Sequence, residues 1–108
     1  MKLTLGDIYW LRLSEDVSHP QVVITIDSSV MVTVVALTTN MLKVSFPGNI
    51  LLDPGEGGLT KRSIIEVSKR LTINKSQLSD YVGRLSEQRL NEILAGINFV
   101  QTSFLSAH

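Results

Sequence analysis

The stretch 21-QVVITIDSSVMVTVVAL-37 decides the fold. It holds two apolar runs, QVVITI (21–26) and VMVTVVAL (30–37), rich in valine, isoleucine and threonine, which pack well on a pleated surface. Between them lie only Asp27, Ser28 and Ser29. A link that short, built of turn-forming residues, joins neighbouring antiparallel strands. Both runs are almost continuously apolar, so the pair is predicted to be buried on both faces or nearly so. Pro20 opens the first run, at a position where a strand tolerates proline.

Upstream, 7-DIYWLRL-13 reads as another strand, followed by a polar loop, 14-SEDVSH-19. Tyr9 and Trp10 fall on opposite faces of that strand, which puts one in the core and leaves the other exposed for stacking. Downstream, 38-TTNMLKVSFPG-48 reads as a loop, with Pro47-Gly48 turning the chain back into a short strand, 49-NILL-52. The stretch 53-DPGEGG-58 is turn chemistry throughout. Two strands, 62-RSIIEVS-68 and 70-RLTI-73, are expected next, then a turn or one helical turn at 74-NKSQLSD-80, then a last strand, 81-YVGRL-85.

From Ser86 the apolar period changes. Leu90, Ile93, Leu94, Ile97 and Val100 recur at three- and four-residue steps, one face of a helix. Ser86 suits the N-cap and Glu87 the first turn. Gly96 inside this helix points to close packing, because glycine there costs about 1 kcal/mol against alanine. The tail 102-TSFLSAH-108 is expected to fray or to dock Phe104 and Leu105 on a partner. Many short strands followed by one amphipathic helix predict a mainly β protein, a small curled sheet or barrel capped by a C-terminal helix.

The chain has 108 residues, the length of a single domain spanning 1–108. It has no cysteine, which fits a reducing compartment, and no signal peptide or membrane span is legible. A cytoplasmic location is expected. Ten basic and ten acidic residues cancel, which argues against binding nucleic acid through bulk charge and leaves room for a local basic groove. Residues 60–70 concentrate Lys61, Arg62, Lys69 and Arg70 against Glu66 alone.

Candidate chemical groups are few. No metal-ligand spacing, phosphate-binding glycine loop or nucleophile elbow is visible, so neither metal nor cofactor is expected. His19 is the one internal side chain that ordinarily titrates near neutrality; it is either a proton-transfer group or a loop histidine with a structural hydrogen bond. Thr38 and Thr39 end an apolar strand, where their hydroxyls either cap local backbone or face a ligand. Lys43 reads as a solvated loop residue, and Lys61 and Arg62 as a rim beside the glycine-rich turn.

In order and with similar gaps, the motifs GDIYWL, HPQVVIT, VVALTTN, FPGNILL, GEGGLTKRSIIEVS, INKSQL and VGRLSEQRLNEILAGINFVQ resemble the MazF/PemK-like toxins of type II toxin–antitoxin systems, over about residues 5–101. The resemblance implies an SH3-like barrel with a C-terminal helix, a homodimer, and a metal-independent endoribonuclease (an mRNA interferase). Such an enzyme cuts single-stranded RNA by 2′-hydroxyl attack, and a cognate antitoxin inhibits it by folding onto the RNA groove. By the same resemblance, Thr38 matches the hydroxyl residue beside the scissile phosphate, and Thr39 and Asn40 follow it in the same loop. Ser18 lies in the first long loop, which borders the site. Arg12, Lys43, Lys61 and Arg62 are the candidate positive charges toward RNA. Well-known members carry Arg-Pro where this chain has His19-Pro20, which places it in a branch with His-Pro and moves the catalytic role onto His19 as general base or acid. The competing reading is a barrel that has lost catalysis and only binds an antitoxin peptide or nucleic acid. A third is a toxin aimed at a topoisomerase.

Overall fold

The computed structural model describes residues 2–12 and 19–106, with side chains through residue 102. The expected loop at 14–19 therefore lies, apart from His19, outside the described residues, and so do the candidate Ser18 and the side chains of Phe104 and Leu105. Six strands form one antiparallel sheet: β1 (Asp7–Leu11), β2 (Pro20–Ile26), β3 (Met31–Thr38), β4 (Ile50–Leu52), β5 (Ser63–Asn74) and β6 (Leu78–Arg84). A helix, α1 (Glu87–Ser106), follows. The sheet order is β4-β5-β3-β2-β1-β6. The mainly β class with one C-terminal helix is as the sequence predicts, and α1 runs helical to Ser106 where fraying was expected from residue 102.

β2 and β3 pair as expected, with Gln21 opposite Ala36 and Val23 opposite Val34. They sit in the middle of the sheet, so alternate side chains enter two different cores. Val22, Ile24, Val35 and Leu37 join the main core beneath α1, with Ile8, Leu52, Ile65 and Ile93. Val23, Val32 and Val34 join a second cluster with Tyr9, Leu11, Ile73 and Leu78. This is why both runs are apolar almost throughout.

The two strands expected at 62–68 and 70–73 are one strand of 12 residues. Their apparent separation is a bulge: Ala36 faces Glu66 while Val35 faces Arg70, so Val67, Ser68 and Lys69 are extra residues in the ladder. An odd insertion reverses which way every later side chain points. Ile65 and Val67 accordingly enter the main core, and Ile73 enters the second. The bulge takes the Val67 N–H out of the ladder, and it donates instead to Asn49 Oδ1 at 3.1 Å. Asn49 Nδ2 donates to the Lys43 carbonyl at 2.9 Å, tying the bulge to a 3₁₀ turn at Met41–Ser45.

β6 begins at Leu78, earlier than the expected Tyr81. The 3₁₀ turn Lys75–Gln77 before it is held by a capping box between Asn74 and Gln77, which returns the chain directly to the sheet. β6 pairs with β1, where Arg84 Nε donates to the buried Asp7 carboxylate at 2.6 Å.

β4 and β6 are the two edges of the sheet, and the turn Glu56–Gly58 joins them by lying against β6. Gly83 faces Gly57 and Gly58 so closely that a Cβ on Gly83 or Gly58 would strike the opposing backbone. Arg89 on α1 locks this turn with two parallel bonds, Nε to Glu56 Oε1 and Nη2 to Glu56 Oε2, both 2.9 Å. Glu56 Oε2 also accepts the Asp53 N–H at 2.7 Å. The guanidinium bonds hold the Glu56 carboxyl below its usual range, and Glu56 and Glu92 hold Arg89 firmly protonated. Ser86 caps α1 as expected, accepting the Arg89 N–H at 3.2 Å.

On α1, Ile93 and Ile97 are buried and Leu90 and Val100 half-buried, whereas Leu94, expected on the same face, is 42% exposed. Helical geometry turns position 94 off the 90/93/97/100 stripe. Pro47-Gly48 forms the expected turn, Gly48 taking φ +80° and Asn49 N–H donating to the Phe46 carbonyl at 3.1 Å. Gly96 rests on it: a Cβ there would lie 2.5 Å from the Gly48 oxygen.

Two stability measurements follow from this packing. Alanine normally stabilises a helix interior over glycine by about 1 kcal/mol. Gly96→Ala is instead expected to destabilise by about 1–3 kcal/mol through overpacking, seen as a lower thermal midpoint; an unchanged or higher midpoint would refute the close contact. For Glu56 the folded pKa is depressed, so its contribution is present above the unfolded value near 4.5 and lost as pH falls through the lower folded value. Glu56→Gln is expected to weaken the protein at pH 7 and to flatten its loss of stability below about pH 4.5. Parallel acid-unfolding curves for variant and wild type would show that the clamp contributes nothing.

Candidate functional site

The sheet register brings the candidate residues together. Gln21–Ala36 and Val22–Val35 set the β2–β3 alignment. Continued two residues outward, it places His19 level with Thr38. Trp10 pairs with Pro20 across β1 and β2, so the indole stands next to the residue that follows His19. The third wall comes from the segment after the Glu56–Gly58 turn, which the Arg89 clamp holds in place.

These elements enclose an open cavity of about 380 Å³. Its floor is apolar: Pro20, Leu37 and Leu59, with Trp10 at the side. Its rim is polar: His19, Thr38, Thr39, Thr60 and Lys61, and the buried Ser63 also lines it. Leu37 and Leu59 belong to the main core, so the cavity is that core opened to solvent at one end of the sheet. Lys61 is the one residue of fixed charge that lines it among the described residues. An anion is therefore favoured there, over a greasy surface that admits a flat ring.

The Thr38 hydroxyl oxygen accepts the Asn40 N–H at 3.2 Å. This is the local backbone cap that a strand-end threonine can make, and it leaves the hydroxyl proton to be donated elsewhere. Asn40 Oδ1 accepts the Leu42 N–H at 3.1 Å and so caps the 3₁₀ turn. Ser63 is buried and donates to the Lys61 carbonyl at 3.0 Å, a structural bond that shapes the loop carrying Lys61.

His19, Thr38, Thr39 and Lys61 thus meet in one place. Among the described residues, the other candidates do not line the cavity. Arg12 is exposed just beyond β1, its N–H donating to the Gln77 carbonyl at 2.7 Å. Lys43 lies on the 3₁₀ turn with Nζ 4.7 Å from the centre of the Phe46 ring. Arg62 is exposed beside Lys61, and Asn40 faces its own turn. Thr60 also lines the cavity, and nothing in its sequence context distinguishes it. Trp10 had a signal, the alternation with Tyr9: Tyr9 is 4% exposed and Trp10 40%. Among the described residues no group of three or more His, Asp or Glu side chains is placed to hold a metal ion.

Residues 4–100 match the family described as "PemK-like, MazF-like toxin of type II toxin-antitoxin system". Similar curated proteins include Endoribonuclease MazF2 of Mycobacterium bovis and Endoribonuclease MazF6 of Mycobacterium tuberculosis. Each is 29% identical over 111 residues, covering 93% of this chain and 97% of the relative. Among solved structures, "Endoribonuclease in complex with its cognate antitoxin from Mycobacterial species" superposes with a TM-score of 0.77 at 20% identity, over 94% of this chain and 96% of that one. "Mycobacterium tuberculosis toxin MazF-mt6" superposes with a TM-score of 0.70 at 21% identity, over 84% and 91%. These likenesses show that the curled sheet with its C-terminal helix is a fold shared with solved toxins.

Proposed function

The chain belongs to the PemK-like, MazF-like toxin family of type II toxin–antitoxin systems, and from that premise we propose that it is a metal-independent endoribonuclease cutting single-stranded RNA. The observation that carries this reading is the meeting of His19 and Thr38 in one open cavity with Lys61. Two curated relatives named as endoribonucleases support it.

Transesterification at phosphorus needs a proton removed from the 2′-hydroxyl, charge on the phosphate oxygens stabilised, and a proton delivered to the departing 5′ oxygen. Neutral imidazole of His19 takes the 2′ proton as the O2′–P bond forms. As the P–O5′ bond breaks, the imidazolium returns a proton to the 5′ oxygen. The products are a 2′,3′-cyclic phosphate and a 5′-hydroxyl. The Thr38 hydroxyl donates to a phosphate oxygen, and Lys61 supplies the positive charge that an arginine at position 19 would otherwise carry. Thr39 lies on the same rim. Ser18, Asn40, Arg62, Arg12 and Lys43 are assigned to the flanking RNA strand.

The chain acts as a single toxin domain over 1–108, in the cytoplasm, as a homodimer restrained by a cognate antitoxin. A solved relative in complex with its antitoxin supports that last partner, and no described helix is long and apolar enough to cross a membrane. For the dimer, the support is the turn Met41–Ser45, which buries none of its own residues: Leu42 is 81% exposed, and Val44, Phe46 and Leu51 are exposed as well.

Purified protein is expected to cut long single-stranded RNA in excess chelator, leaving cyclic phosphate ends. His19→Ala should lower the rate about 10²–10⁴-fold and Thr38→Ala about 10²–10³-fold. Full activity in His19→Ala would remove the proton-transfer role. A folded protein that binds RNA or an antitoxin peptide and never cleaves would instead be a binding-only barrel. Light scattering should give a dimer for wild type and a smaller species for Leu42→Glu; a dimer in both would place the interface elsewhere.

A further inference from the structure

We propose that Trp10 is a stacking platform for one nucleobase next to the scissile phosphate, and so a positioning residue of the site. The inference rests on the ribonuclease reading above and goes beyond it by naming where a base is held.

The cavity wall is unusual for an exposed tryptophan. Indole is a large apolar surface that a fold ordinarily buries. Here Tyr9 on the same strand is buried and Trp10 is 40% exposed, turned into a cavity rather than over a neighbouring side chain. Among the described residues no aromatic ring and no cation covers it. The Pro20 pairing fixes its backbone, and Leu37 and Leu59 continue its apolar surface across the floor. A flat ring entering this space meets apolar surface on its faces. At its edge it meets Thr39, Thr60 and Lys61, and neither threonine hydroxyl is engaged in a hydrogen bond among the described residues. Apolar faces and a hydrogen-bonding edge are the chemistry of a nucleobase. His19 and Thr38 lie on the same rim, so a base stacked on Trp10 brings its own phosphate to those two groups.

The arrangement also suits a chain of zero net charge. Such a chain has little bulk attraction for RNA, and stacking supplies affinity that does not depend on net charge. Because every base has a π-face, the ring accounts for affinity, and the Thr39, Thr60 and Lys61 edge accounts for which base is preferred.

Trp10 is the sole tryptophan, so its emission reports on the site directly. Wild-type protein would be titrated with 2′-O-methyl oligonucleotides, which bind but cannot be cleaved, and with the same oligonucleotides carrying one abasic residue at each position in turn. Saturable quenching is expected, with one abasic position that weakens both quenching and binding. Trp10→Ala should bind about 5- to 150-fold more weakly than wild type. In that variant the abasic penalty should disappear at that one position and persist elsewhere. Trp10→Phe, which keeps an aromatic face and the fold, should recover most of the binding. RNA cleavage by wild type together with unquenched emission, or an abasic penalty identical in wild type and Trp10→Ala at every position, would overturn the stacking role and leave the ribonuclease intact. Failure of wild type to bind or cut any RNA would instead end the ribonuclease reading, and the stacking role with it.

Discussion

The hydrogen bond from the Val67 amide to Asn49 is the constraint on which the rest of the structure depends. β5 is long enough to lie along all of β3, yet its two halves must serve opposite faces of the sheet. Only an odd insertion achieves that without breaking the strand. The insertion removes backbone groups from the ladder, and burying an unpaired amide costs about 1–3 kcal/mol. Asn49 removes that penalty and, through the Lys43 carbonyl, sets the 3₁₀ turn that follows β3. One side chain therefore fixes the bend in β5, the two-core arrangement and the exit of the strand that ends in Thr38.

The site inherits its geometry from strand ends. Residues at 10, 19–20 and 37–39 come from three neighbouring strands, and their spacing is that of a sheet, which is rigid. The fourth contribution, residues 59–63, belongs to the chain that closes the sheet. Left alone, a glycine-rich turn there would wander. The paired Arg89–Glu56 bonds and the Gly83 contact remove that freedom, so a salt bridge remote from the cavity positions one of its walls. The groups gathered there are spare: one imidazole, the hydroxyls of Thr38, Thr39, Thr60 and Ser63, one ammonium and an apolar floor.

Much of this was legible in the sequence. The β2–β3 pair, the Pro47-Gly48 turn, the Ser86 cap and the Gly96 contact each follow from local rules, and each stands as read. β5 was read as two strands because Ser68, Lys69 and Arg70 interrupt an apolar pattern; a bulge and a strand break look alike when only hydrophobicity is visible. Leu94 misled for a similar reason, since an i+4 neighbour of Leu90 lies off the stripe defined by Ile93 and Ile97. Which cations reach the cavity was not legible, because Arg12, Lys43, Lys61 and Arg62 differ in placement and hardly at all in local context. The register decided it: the segment before Ser63 runs past the end of β3, whereas Lys43 is drawn onto the Phe46 ring.

The pairing of β1 with β6 joins the first strand to the last, through Asp7 and Arg84, 77 residues apart. Contacts of such long range form late, because most of the chain must be ordered before they are made. Every described residue that lines the cavity lies at or before Ser63, yet the strand carrying Trp10 and the wall carrying Lys61 are both held from beyond residue 82. A partly synthesised chain therefore carries all the chemical groups of the site without the scaffold that aligns them. Assembly of the cavity waits for Arg84 and Arg89, so a ribosome that has made only the cavity-lining segments is not yet exposed to a working copy.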